Sequence, residues 1–114
     1  MSVRVYGLPG CTTVRKALRW LEGEGIAHDF TPFAKVDDLP GHLRDWMDRA
    51  EVVLNARAAT FRALPEDEQV RLLADADAAI AAMAADPRLI RRPVLDTGAD
   101  VLTGFVEADW RAAL

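Results

Sequence analysis

Cysteine, histidine and net positive charge are all scarce in this chain of 114 residues. A single cysteine, Cys11, allows no disulfide within the chain. The two histidines, His28 and His42, have no ligand-spaced neighbours and are poor material for a metal site; His28 reads as strand surface and His42 as helix surface. No apolar run approaches the length of a membrane span, and no basic stretch followed by an apolar one opens the chain. With 14 Lys and Arg against 18 Asp and Glu, the net charge of −4 argues against general nucleic-acid binding. The expectation is a cytoplasmic protein of a reducing compartment, with no bound metal or cofactor and no membrane attachment.

What is present is enough apolar material, 51% of the residues, for one core in one domain spanning 1–114. The most informative stretch is Tyr6-Gly7-Leu8-Pro9-Gly10-Cys11-Thr12-Thr13-Val14-Arg15-Lys16. Residues 3 to 6 alternate like a short strand, and Gly7, Pro9 and Gly10 end it. Val14, Ala17, Leu18 and Leu21 then fall on one helical face, with Gly25 placed as a left-handed stop. Cys11 therefore stands where a helix begins. Unpaired backbone N–H groups and the positive end of the helix dipole favour a thiolate there, with Arg15 and Lys16 one turn along. Thr12 and Thr13 are candidates to cap the same helix through their hydroxyls. A lone cysteine is by default a small buried hydrophobe. The strand, Gly/Pro loop, cysteine, helix context favours a reactive thiol instead.

Residues 26 to 31 form a second strand, and two strands flanking a helix imply a parallel βαβ unit. Asp37 or Asp38 caps a helix carrying Leu39, Leu43, Trp46, Met47 and Ala50, with Pro40 in its first turn, packed outside the sheet. Residues 51 to 64 show no sustained period; the reading is a short helix to about Asn55, then a loop carrying Arg57. Pro65-Glu66-Asp67-Glu68 opens a helix running through Val70, Leu73, Ala74, Asp77, Ile80, Ala81 and Met83 to about Ala85, ended by Asp86-Pro87. Leu89 to Asp96 is extended, Thr97-Gly98-Ala99-Asp100 turns, and Val101-Leu102-Thr103 pairs back as a hairpin. A last helix spans about Glu107 to Leu114, with Val106, Trp110 and Ala113 inward. Trp20, Trp46 and Trp110 sit at packing positions. Arg62 and Arg91 read as exposed.

The order β-α-β, helices, β-β-α is that of an α/β thioredoxin-like fold with a helical insertion, about 37–86, between its halves. Pro93 is then the candidate cis-proline beside the thiol, X–Pro being the bond for which cis is least costly.

Several segments together resemble the arsenate reductase-like family, which includes glutaredoxin-linked arsenate reductases, Spx regulators and YffB-like proteins. They are Tyr6-Gly7 with Cys11-x-Thr13-x-Arg15-Lys16-Ala17 and Arg19-Trp20-Leu21-Glu22; Leu54-Asn55-x-Arg57-x-x-Thr60-x-x-x-Leu64; Ile90-Arg91-Arg92-Pro93-x-Leu95; and Leu102-x-Gly104-Phe105. The likeness is strongest to the YffB-like branch. The resemblance implies that Cys11 is the nucleophile and that Arg57 and Arg92 bind an anionic partner, with Arg15, Lys16 and Thr12 as further anion-binding candidates. A guanidinium stabilises both a thiolate and an oxyanion, although Arg57 also fits a helix-end or carboxylate-paired role.

Two departures narrow the implication. The reductases carry a further arginine where this chain has Thr103-Gly104-Phe105, which argues against arsenate as substrate. Spx proteins often carry a Cys-x-x-Cys switch, whereas the fourth position here is Val14. An oxidised Cys11 then needs glutathione or another small thiol as co-substrate, or a glutaredoxin, to resolve it. The expected activity is that of a monothiol oxidoreductase acting on a small thiol or anionic molecule. The alternative is a Spx-like regulator that docks on RNA polymerase without turnover.

Overall fold

The computed structural model describes residues 2–114. Four strands make one sheet: β1 (Val3–Gly7), β2 (His28–Pro32), β3 (Val94–Asp96) and β4 (Val101–Thr103), in the order β2-β1-β3-β4. β1 and β2 are parallel, in register from Val3↔His28 to Gly7↔Pro32, while β3 runs antiparallel to both β1 and β4. Helix α1 (Thr12–Gly23) connects β1 to β2 and ends before Gly25, whose φ of +69° is the expected left-handed stop. The βαβ and ββα halves and the thioredoxin-like order are those read from the sequence.

Strand alternation divides the core. Val5 pairs with Leu95 and Tyr6 with Val94, so the two pairs point to opposite faces. On one face Val5 and Leu95 pack with Ala17 and Leu21 of α1 and with Trp110 of α6 (Glu107–Ala113). On the other, Tyr6 and Val94 meet a larger cluster with Leu43 and Trp46 of α2 (Leu39–Arg49). That cluster also takes Phe61 of α3 (Ala59–Arg62), Leu72 of α4 (Glu66–Ala74), and Ile80 and Met83 of α5 (Ala76–Ala85). The inserted helices thus close one face of the sheet.

Local reading fails in four places, each for a tertiary or capping reason. Residues 51–55 are not a helix. The Arg91 N–H donates to the Val53 carbonyl at 2.8 Å and the Asn55 N–H donates to the Leu89 carbonyl at 2.8 Å, with one bridge between Leu54 and Ile90. This pairing holds the stretch extended. The expected long helix after Pro65 is two helices, α4 and α5. Asp75 accepts from the N–H groups of Asp77 (3.0 Å) and Ala78 (3.3 Å), capping α5 in place of continuing α4. The buried side chain of α4 is accordingly Leu72, and Val70 and Leu73 are exposed. Val106 is also exposed, at the N-cap of α6, while Trp110 is buried. His42 is half-buried, its ring centroid 6.0 Å from that of Tyr6 and 5.7 Å from that of Trp46. His28 lies in β2 with Nδ1 2.9 Å from the Ile26 carbonyl.

Candidate functional site

The site begins with the turn that leaves β1. The Cys11 N–H donates to the Leu8 carbonyl at 3.0 Å, and the Cys11 carbonyl accepts from the Arg15 N–H at 3.1 Å, making Cys11 itself the N-cap of α1. Neither Thr12 nor Thr13 caps α1 through its hydroxyl. Gly7 sets how closely α1 approaches the sheet. A Cβ placed on it would lie 2.7 Å from Val14 Cγ2, closer than real side chains come, so only glycine leaves Val14 where it is.

Partial burial is the largest single influence on the Cys11 thiol and pushes its pKa up. It is outweighed by the Val14 N–H, the Arg92 guanidinium and the Thr13 N–H together, and the thiol ends below its ordinary value. Arg15 and Lys16, expected to do this work, are exposed side chains and are not among the groups acting on the sulfur. The cation that matters comes from the far end of the chain. Arg92 is held by its own backbone surroundings, its Nη1 donating to the carbonyls of Arg88 (2.8 Å) and Ile90 (3.1 Å). Its buried Nε has no hydrogen-bond partner. That leaves a donor for an incoming anion or for the thiolate. The Arg92-Pro93 peptide is cis, as expected, and the Pro93 carbonyl accepts from the Gly104 N–H at 2.9 Å.

Cys11 opens onto a cleft of about 620 Å³. Thr13, Asn55, Arg57, Arg91, Arg92 and Phe105 are among the residues around it, and no Asp or Glu lines it. Arg57 reaches the cleft from a turn in which Asn55 Oδ1 accepts from the Arg57 N–H at 3.1 Å. In a chain of net charge −4, a cleft lined by a thiol and three arginines and by no carboxylate is a local reversal of charge. Such a cleft suits an anionic molecule. Of the predicted site residues, Cys11, Arg57 and Arg92 are brought together here, whereas Thr12, Arg15 and Lys16 do not line the cleft. Sequence reasoning missed Arg91, because alternation in an extended segment assigns neighbours to opposite faces, yet Arg91 and Arg92 both line this one. Among the described residues, no three His, Cys, Asp or Glu side chains gather as metal ligands, and no helix is long and apolar enough to cross a membrane.

Comparison with known proteins places this geometry among relatives. A model of the ArsC family matches residues 6–113. An uncharacterised protein of Haemophilus influenzae is 36% identical, with 97% of each chain covered. The solved structure of a protein named YffB is 37% identical, covers 99% of each chain and superposes with a TM-score of 0.87. An arsenate reductase (ArsC) related protein of Brucella melitensis is also 37% identical, covering 98% of this chain and 93% of its own, with a TM-score of 0.76. More distant relatives include the global transcriptional regulator Spx of Listeria innocua, 28% identical over 98% of this chain and 86% of its own.

Proposed function

The chain belongs to the ArsC family, and we propose that it is a monothiol oxidoreductase of that family in which the Cys11 thiolate exchanges with a small anionic disulfide. The observation that carries this reading is the cleft itself, with one acidified thiol, three arginines and no carboxylate. The Cys11 thiolate attacks the glutathione sulfur of a mixed disulfide between glutathione and another small thiol. A new sulfur–sulfur bond forms between Cys11 and the glutathione, and the other thiol leaves as its thiolate. Arg57 and Arg92 hold the carboxylates, and Arg92 keeps Cys11 ionised before attack. A second thiolate, from glutathione or a glutaredoxin, then attacks the mixed disulfide and releases Cys11 as thiolate again. The chain has no other cysteine to do this. The cleft presents Gly104 and Phe105 where the resemblance calls for a further arginine, so arsenate is not the proposed substrate.

The Spx relatives support a second reading, a regulator that docks on RNA polymerase without turnover. Turnover separates the two. Treated with oxidised glutathione, the protein is expected to gain one glutathione by intact mass, Cys11→Ser none; reduced glutathione should release the adduct, and the protein should speed the reduction of 2-hydroxyethyl disulfide by reduced glutathione in an assay coupled to glutathione reductase. Absence of an adduct, or an adduct that reduced glutathione does not release, overturns the oxidoreductase.

A further inference from the structure

We propose that Arg91 selects the charge of the molecule that reacts at Cys11 by pairing with a carboxylate remote from its sulfur, and that Gly104 is the residue that positions it. The proposal rests on the oxidoreductase reading and adds a specificity residue to it.

Arg91 is half-buried and lines the cleft, yet among the described residues its guanidinium makes no hydrogen bond or ion pair. Many of the other arginines are already engaged. Arg44, Arg49, Arg71, Arg88 and Arg111 each bridge to a carboxylate. The base of Arg91 is nevertheless fixed, through its N–H on the Val53 carbonyl at 2.8 Å. A long cation anchored at its root, partly desolvated and left without an anion, is prepared to receive one.

Gly104 makes this placement possible in two ways. Its φ of +72° is a conformation that side chains rarely adopt. A Cβ there would lie 2.7 Å from Arg91 Nε and 3.0 Å from its Nη2, so the guanidinium lies directly over the bare backbone of Gly104. Arg91 and Gly104 also line a second, smaller cavity of about 100 Å³, whose lining includes Glu51 and Asp109. Neither carboxylate pairs with Arg91 among the described residues. Displaced from Gly104, the guanidinium can turn to these two acids, which share that cavity with it, and this withdraws the cleft's third charge.

The test compares second-order rate constants of Cys11 with oxidised glutathione, neutral 2-hydroxyethyl disulfide and cationic cystamine, alongside NMR-monitored binding of S-methylglutathione, which does not react. In Arg91→Ala the rate ratio of oxidised glutathione to 2-hydroxyethyl disulfide should fall about tenfold, the scale of one charge-assisted hydrogen bond. Arg91→Glu should turn the preference toward cystamine, and Arg91→Lys should recover part of the native ratio. Gly104→Ala should lower the ratio in the native background and change nothing further in Arg91→Ala. An unchanged ratio in Arg91→Ala overturns the selector, and an undiminished Gly104→Ala effect in the Arg91→Ala background overturns the positioning role. If no disulfide reacts with the native protein, the oxidoreductase reading falls and binding decides for Arg91. Arg91-dependent binding of S-methylglutathione upholds the selector; binding that is absent or independent of Arg91 overturns it.

Discussion

Gly7 and Val14 offer a direct measure of how tightly the fold holds the candidate site, because the contact between them sets the distance between β1 and the helix that starts at Cys11. Gly7→Ala puts a Cβ 2.7 Å from Val14 Cγ2 and 3.3 Å from Val14 Cγ1. Val14 is fully buried and cannot swing away into solvent. Overpacking of this kind costs about 1–3 kcal/mol. Val14→Ala removes two buried methyl groups, about 1.6 kcal/mol by transfer, and the cavity left behind brings the loss to about 2–3 kcal/mol. If the two changes were independent, the double variant would lose about 3–6 kcal/mol. The contact predicts otherwise: the methyl group introduced by Gly7→Ala fills space vacated by Val14. The double variant should therefore lose only about 2–3 kcal/mol, a coupling of about 1–3 kcal/mol in the compensating direction. Urea unfolding of the four proteins measures the cycle. Losses additive to within about 0.5 kcal/mol would refute the reasoning.

Three further outcomes are expected. The alkylation rate of Cys11 should titrate below the range of a free thiol and shift upward in Arg92→Ala, since Arg92 is the charged side chain that favours the thiolate; a downward or absent shift contradicts that assignment. Because folding lowers the Cys11 pKa, the thiolate's stabilisation is complete above the unfolded value of ~8.5 and is lost as pH falls through the folded value. The difference in unfolding free energy between the native protein and Cys11→Ser should therefore rise with pH across that window, and a flat or falling difference counts against the shift. Trp110→Phe should cost about 1–3 kcal/mol, because the buried indole Nε1–H donates to the Gly104 carbonyl at 3.0 Å; a loss below about 0.5 kcal/mol would mean that carbonyl finds another partner.

The sequence by itself determined those parts of the protein that depend on neighbours along the chain. Alternation over residues 3 to 6, the Gly/Pro cluster, the apolar face of Val14, Ala17 and Leu21 and the stop at Gly25 place Cys11 at a helix start without reference to anything distant. The hairpin from Val94 to Thr103 and the helix around Trp110 were readable for the same reason. Where the chain takes its structure from a remote partner, local pattern misled. Residues 51–55 carry no strand period and become extended only because Leu89 and Arg91 supply hydrogen bonds. Asp75 falls inside the stretch read as one long helix, and its bonds to the N–H groups of Asp77 and Ala78 make it a cap instead.

The candidate site divides in the same way. Its thiol was visible, and Arg57 and Arg92 followed from resemblance. The source of the thiol's acidity was not visible: helical spacing nominated Arg15 and Lys16, whose side chains extend into solvent, whereas the sheet brings Arg92 from the other half of the chain to the sulfur. Periodicity tells which side chains share a face of one element. Which faces meet across a cleft depends on strand order and on where a bare glycine such as Gly104 lets a guanidinium lie, and that is settled only when the halves pack.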